Sequence, residues 1–255
     1  DYTDANNQSI TEQIKTGGHF EWKYKQGTYV FNDSYQWIDR EIISDFPSKF
    51  EAKSYSLDTY LNHRITDAFQ AVLGLNVNLS EFNSFTIPFG ATQFESQIDS
   101  DTANFDIIDP YLNLVYQPNF GLNLNAGVRA NIHSVYDTHV VYHVNPSYNF
   151  DFGTTLLKIL GSYSTAYITP SLFQLYDPLY GNEMLMPEEN TTIEGGAEFS
   201  MGGNFRVSAV YFNRTEDNFV DFVTVDPELF LFQYQNSSEQ FESSGVEVEF
   251  FGKIL

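Results

Sequence analysis

The sequence predicts an all-β protein, and three observations lead to that prediction. Segments of about ten residues alternate apolar and polar side chains, as in Leu122, Leu124 and Ala126 against Asn123 and Asn125. A period of two is typical of a strand whose faces meet different surroundings. No segment shows the 3.6-residue period of a helix of ordinary length. Short turns and longer loops alternate along the chain, which indicates an antiparallel sheet.

The predicted strands follow one another along the whole chain. Residues 1–18 are polar and are predicted to form a loop. About a dozen strands come after it, each of the length usual for such sheets. They cover residues 19–25, 29–40, 53–63, 68–80, 105–117, 122–133, 139–149, 155–168, 189–200, 205–223, 230–237 and 243–255.

The connections between these strands differ in length. Short turns are predicted at residues 25–28, 64–67, 118–121, 150–154, 201–204 and 237–242. Longer loops are predicted at residues 41–52, 81–104, 134–138, 169–188 and 224–229. All long loops then lie at one end of the sheet. Together with aromatic residues near strand ends and a polar second face, this pattern predicts an antiparallel transmembrane β-barrel, and a soluble β-sheet protein is the alternative.

Composition excludes several classes of function. The 255 residues carry a net charge of -22, from 12 basic and 34 acidic residues, which argues against binding nucleic acid. There is no cysteine, so disulfides, thiol nucleophiles and cysteine metal sites are excluded. No apolar run approaches the roughly 18 residues of a membrane helix. Residues 1–18 lack the features of a secretory signal.

The most distinctive segment is residues 166–196. Three prolines and Gly181 interrupt regular structure there, so a long loop is predicted between two strands. Tyr176 and Tyr180 are amphipathic aromatic residues suited to ligand contact, and with Asn182 they are the candidate ligand-binding residues. The alternative role for all three is loop packing and turn formation, since Gly181 and Asn182 permit unusual backbone angles.

This segment resembles the TonB-dependent outer-membrane receptors. The matching positions are Pro170, Ser171, Leu175, Tyr176, Gly181, Asn182, Leu185, Pro187, Glu188, Glu194 and Gly195. Further motifs of the family are similar to Gly127-Val128-Arg129, Tyr234-Gln235-Asn236 and Gly245-Val246-Glu247. Within the family, Gln174-Leu175-Tyr176 followed by Tyr180-Gly181-Asn182 looks most like the cobalamin-receptor branch, and ferric-siderophore receptors share much of it.

The resemblance implies a barrel of about 22 strands around an N-terminal plug in the bacterial outer membrane. It implies import of a scarce, bulky nutrient, cobalamin-like or a ferric siderophore, and no enzymatic activity. The implied partners are outer-membrane lipid, the nutrient and, through the plug, the TonB complex. We expect residues 1–255 to form part of the barrel, with the plug and the last strands outside this sequence.

Acidic residues suggest one further site. Asp99 and Asp101, with Glu95 and Asp106 nearby, could place carboxylate oxygens on a calcium ion. Calcium-ordered loops occur in the cobalamin-receptor branch. The alternative is a solvated acidic loop.

Histidines and glutamates offer weaker candidates. His133, His139 and His143 lie close enough in sequence for a metal site, and the alternative is a set of polar positions lining a lumen. The same alternative applies to an acid–base role for Glu194, Glu198, Glu247 and Glu249. An outer-membrane lipase-like enzyme would need a serine beside His143. A soluble β-sheet binding module is the remaining alternative function.

Overall fold

The computed structural model describes residues 7–98 and 101–253. Within these ranges the regular structure is strand except for one short helix, α1, at Leu172–Tyr176. The strands are β1 (Gln8–Tyr24), β2 (Gly27–Ile43), β3 (Ser48–Arg64), β4 (Phe69–Thr86), β5 (Glu95–Ser96), β6 (Asn104–Tyr116), β7 (Leu122–His133), β8 (His139–Asp151), β9 (Thr155–Ile168), β10 (Glu188–Met201), β11 (Phe205–Asp217), β12 (Val220–Asp226), β13 (Leu231–Asn236) and β14 (Phe241–Gly252).

Twelve of the strands form one antiparallel sheet. The order is β1-β2-β3-β4-β6-β7-β8-β9-β10-β11-β14, and the short β5 pairs with β4. Neighbours in the sheet are neighbours in sequence, except that β6 follows β4 and β14 follows β11. Strands β12 and β13 form a separate hairpin within the β11–β14 connection. The predicted all-β, antiparallel fold class is therefore confirmed.

Strand length changes across the sheet. Strands β1 to β3 have 17 residues each and β4 has 18. Strands β6 to β8 have only 12 or 13. The additional residues of β2 to β4 lie towards the long-loop end, because Ile42 pairs with Ser48 and Ser48 with Thr86 there.

The two faces of the sheet differ in polarity. On the outer face, strand pairing lines up apolar side chains in a continuous row across six strands. That row consists of Tyr29, Leu61, Leu73, Leu112, Val128 and Tyr142. The inner face, on which α1 packs, carries mostly amide, hydroxyl and charged side chains. An apolar exterior around a polar interior is the arrangement of a membrane barrel wall.

Most of the few fully buried apolar residues lie beneath the long loops, and Val30 on β2, near the short β1–β2 turn, is the exception. Leu172, Leu175 and Leu185 are all almost completely buried. The strands between the two ends have no second layer within the described residues. No helix in the described ranges is long and apolar enough to cross a membrane.

The start of the chain differs from the prediction. Residues 1–18 were expected to form a loop, yet β1 begins at Gln8 and pairs with β2 along its whole length. The first strands likewise extend into residues 41–52, where the connection shrinks to residues 44–47. Polar residues on both faces hide these strand ends, because alternation is visible only where one face is apolar.

The end of the chain also differs from the prediction. Residues 205–223 were predicted as one strand, but β11 ends at Asp217 and β12 begins at Val220. Asn218 lies between them with a φ of 58°, a left-handed conformation that asparagine tolerates. Residues 237–242 are not a turn at the short-turn end, since Phe241 pairs with Glu216 beside the long loops.

Candidate functional site

The connection between β9 and β10 folds inward around helix α1. Ser171 caps this helix: its Oγ accepts the Gln174 N–H at 3.2 Å, and Gln174 Oε1 accepts the Ser171 N–H at 2.8 Å. This reciprocal capping box suits a helix of only five residues. It holds Leu172 and Leu175 inward and presents Phe173 to the wall.

Phe173 joins the helix to the opposite inner wall. Its ring lies 6.0 Å from the rings of both Phe50 on β3 and Phe82 on β4, in edge-to-face geometry. Phe50 and Phe82 stack on each other at 6.2 Å. A cavity of about 310 Å³ adjoins this cluster, and its lining includes Ile38, Ala52, Phe82, Phe105, Leu172 and Phe173.

The β12–β13 hairpin packs against the same loop. Tyr234 lies 6.2 Å from Phe173 between ring centres, and its backbone N–H donates to Tyr180 O at 3.1 Å. Tyr180 packs edge-to-face on Phe222 at 5.3 Å. Residues 169–187 and 218–240 therefore form one structure, which we call the loop unit.

Two asparagines connect the halves of the loop unit. Asn236 Oδ1 accepts the Met186 N–H at 2.8 Å, while its Nδ2 donates to Met186 O at 2.8 Å and Asn218 O at 2.6 Å. Asn182 Nδ2 donates to Tyr234 O at 2.9 Å. These amides replace backbone partners that irregular segments otherwise lack.

A tyrosine ties the loop unit to the β7–β8 connection. The Tyr136 hydroxyl donates to Leu185 O at 2.9 Å. Burial raises the pKa of Tyr136 to about 12, so the phenol keeps its proton at any physiological pH.

The predicted ligand-binding residues all lie in the loop unit. Tyr180 contacts Phe222, and both polar groups of Asn182 bond within the unit, Oδ1 to the Met184 N–H at 3.0 Å. Tyr176 is half-buried, and burial raises the pKa of its phenol. These contacts match the packing role considered as the alternative, and ligand contact stays a prediction.

The sequence pattern missed the aromatic residues on the wall and on the hairpin. Phe50 and Phe82 occupy inner-face positions in rows that are mostly polar elsewhere along their strands. An aromatic residue in a mostly polar row was the sequence signal that could have identified these two positions. Phe222 and Tyr234 were hidden because their segments were assigned to sheet strands.

Below the loop unit, the inner wall is held by polar contacts between strands. Arg129 lies over the Tyr111 ring at 5.3 Å and 3.6 Å from the Asp109 carboxylate. Asp109 also accepts from Asn131 Nδ2 at 2.9 Å. The Tyr111 hydroxyl reaches Asp58 at 3.1 Å, across the intervening β4.

The three histidines have separate surroundings. His133 packs between Phe105 and Tyr136, and its Nδ1 accepts the Val135 N–H at 3.0 Å. His139 stacks on Tyr167 at 4.2 Å. Across residues 7–98 and 101–253, no group of three or more histidine and acidic side chains is placed to hold a metal.

His143 has only amide partners at its Nε2. The amide oxygens of Asn113 and Asn125 lie 3.2 and 2.9 Å away. Ser164 on β9 is the strand partner of His143, but among the described residues no serine hydroxyl is hydrogen-bonded to the His143 ring. His143 instead links β6, β7 and β8.

The acidic candidates that the structure describes lie on several elements. Asp99 lies outside the described residues, and Asp101 O accepts from the Asn104 side chain at 2.9 Å. Calcium binding by Asp99 and Asp101 therefore stays a prediction. Glu194 and Glu198 on β10 are separated by β11 from Glu247 and Glu249 on β14.

The chain is similar to a known family of proteins over almost its whole length. The family model described as TonB dependent receptor-like, beta-barrel matches residues 1–254. The copper transporter OprC is similar with a TM-score of 0.77 and 13% identity, over 100% of this chain and 45% of that one. The siderophore receptor PirA from Pseudomonas aeruginosa has a TM-score of 0.72 and 20% identity, over 94% and 44%.

A third solved structure is similar to this chain to the same degree. The Serratia marcescens hemophore receptor HasR, solved with its hemophore HasA and heme, has a TM-score of 0.76 and 12% identity, over 96% of this chain and 46% of that one. At these identities the likeness shows the fold alone. The chain spans less than half the length of these three structures.

Proposed function

This chain belongs to the TonB-dependent receptor family, and from that premise we propose that it is part of a receptor that imports a scarce, bulky nutrient across the bacterial outer membrane. The family's barrels belong to that membrane, and its members are transporters rather than enzymes. The apolar outer face of the sheet would contact lipid. The polar inner face would line the path of the nutrient.

The observation that carries this proposal is the loop unit. Two loops that are distant in sequence meet through Asn236 and Tyr234, and α1 carries Phe173 to the opposite wall. The aromatic and amide groups concentrated there suit capture of a bulky ligand at the mouth. Tyr176, Tyr180 and Asn182 are the ligand contacts that we propose.

We further propose a cobalamin-like compound or a ferric siderophore as the nutrient. The similarity of residues 174–182 to the cobalamin-receptor branch supports the first, and likeness to a siderophore receptor supports the second. Energy would come from the TonB complex through a plug domain. Calcium held by Asp99 and Asp101 would order the β4–β6 connection.

Deleting residues 169–187 from the full-length receptor tests the proposal. High-affinity binding of labelled cobalamin or of a ferric siderophore should be lost, while the barrel still assembles in the outer membrane. The matched control shortens the β7–β8 connection outside the loop unit and retains Tyr136. Unchanged binding after the deletion would disprove the role of the loop unit.

The two alternatives make different predictions. A lipase-like enzyme would hydrolyse esters, and the asparagine partners of His143 give it no nucleophile. A soluble binding module would stay monodisperse without detergent, which the exposed apolar row on the outer face opposes. Detergent-free solubility of the full-length protein would favour that module.

A further inference from the structure

The β12–β13 hairpin ends in an exposed apolar tip. The side chains of Leu229 and Phe230 are 68% and 79% exposed, and their neighbours Val225 and Leu231 are about half exposed. Single exposed apolar residues are ordinary on a protein surface. A contiguous group on a projecting turn indicates a contact surface.

The backbone of the tip is fixed so that the ring projects. Asp226 Oδ1 accepts the N–H groups of Glu228 at 2.8 Å and Leu229 at 3.0 Å. Phe230 has a φ of 53°, in the left-handed region that bulky residues seldom adopt. Unfavourable backbone angles of this kind occur preferentially at functional positions.

The charged side chains of the loop unit all have one sign. The two segments of the loop unit contain six acidic residues and no lysine, arginine or histidine. Three of the six, Asp221, Asp226 and Glu228, belong to the hairpin itself. A partner for the tip must therefore tolerate or neutralise negative charge.

We propose that this tip is a docking element for a basic, amphipathic polypeptide, a partner distinct from the nutrient. Small ligands bind in concave sites, whereas this surface is convex. Acidic side chains would be repelled by the anionic headgroups of a lipid surface. A polypeptide with lysine or arginine beside apolar residues would receive Phe230 as an aromatic anchor and pair with the three acids.

The test uses the full-length receptor in detergent micelles. The probe is a labelled synthetic peptide of alternating lysine and leucine, and an alternating glutamate–leucine peptide is its control. The lysine peptide should bind, with affinity that falls as salt rises. Phe230→Ser should raise Kd at least about tenfold, as for loss of an interface anchor. Glu228→Gln should raise Kd about two- to threefold and flatten the salt dependence.

Leu179→Ser provides the matched control, because Leu179 is similarly exposed at 73% but lies on the other loop. It should leave Kd unchanged. Protection of the Tyr234 amide against hydrogen exchange, since this amide donates to Tyr180 O, should confirm that the Phe230→Ser hairpin still docks on the other loop. If it does not, Phe230→Leu, which keeps an apolar tip, should bind more weakly than the original. Equal loss in Leu179→Ser, equal binding of the glutamate peptide, or Phe230-dependent binding to phosphatidylglycerol vesicles would each overturn the proposal.

Discussion

The inner wall and the loop unit are held together by different kinds of contact. In the wall, side chains such as Arg129, Tyr111 and Asp58 bond across strands that backbone ladders already hold in place. In the loop unit, a few amides and aromatic rings provide the contacts between two irregular segments. A single substitution in the loop unit should therefore open that unit locally. A single substitution in the wall should leave the strands paired, because backbone ladders hold them.

Phe173→Ala should open the loop unit more than any other substitution proposed here and should leave the wall unchanged. It removes the ring contacts to Phe50, Phe82 and Tyr234, at a cost of roughly 2–3 kcal/mol because Phe173 is only partly buried. Amide exchange in residues 169–187 should then accelerate about 30- to 150-fold in detergent micelles. Exchange in β6 and β7 should not change. Leu179→Ala, at an exposed position, is the control, and acceleration in the wall would contradict the contrast.

Asn236→Ala should come next. The side chain makes three hydrogen bonds to Met186 and Asn218, and their joint loss should cost about 1–3 kcal/mol. Limited proteolysis near Met186 should become faster. Asn236→Asp keeps an acceptor for the Met186 N–H but loses the donor. Its proteolysis rate should therefore lie between those of the original protein and of Asn236→Ala. A rate for the aspartate variant equal to that of the original would show that the donated bonds contribute nothing.

A wall substitution provides the counterpart. In Gly74→Ala, the added methyl group would contact the Tyr111 ring, which would have to move away from Asp58. The expected cost is about 1–2 kcal/mol. Faster exchange should be confined to β4 and β6 and should not reach the loop unit. Gly195→Ala, where a methyl group meets open space, is the control. Spread of the effect into residues 169–187 would show that the two regions are coupled.

Ser171→Ala should have the smallest effect. It removes the hydroxyl half of the capping box and should cost about 1 kcal/mol. Exchange should accelerate in α1 alone, by about fivefold. Ser171→Asp retains an acceptor at the cap and should restore protection. Failure of the aspartate to do so would mean that packing of Leu172 and Leu175, rather than the cap, holds the helix.

The sequence predicted the sheet well and the loop unit poorly, for a physical reason. From β6 to β11 one face is apolar, so alternation identified each strand. Over residues 8–18 of β1 both faces are largely polar, and this part of the strand was missed, whereas the aromatic residues of 19–25 identified the rest. The turn at Asn218 could not be recognised, because asparagine is common both in turns and on the inner face. The contacts of Asn236 are with residues 18 and 50 positions away, and no local pattern encodes them.

The unequal strand lengths have a consequence for access. At about 3.3 Å per residue and a tilt near 40°, strands of 17 residues rise roughly 43 Å and strands of 12 residues roughly 30 Å. The rim is therefore slanted, high at β1 to β4 and low at β6 to β8. A large particle arriving from outside would meet a lower rim at β6 to β8, beside the loop unit that Tyr136 contacts. The particle would then contact the taller strands β1 to β4, which rise above that rim.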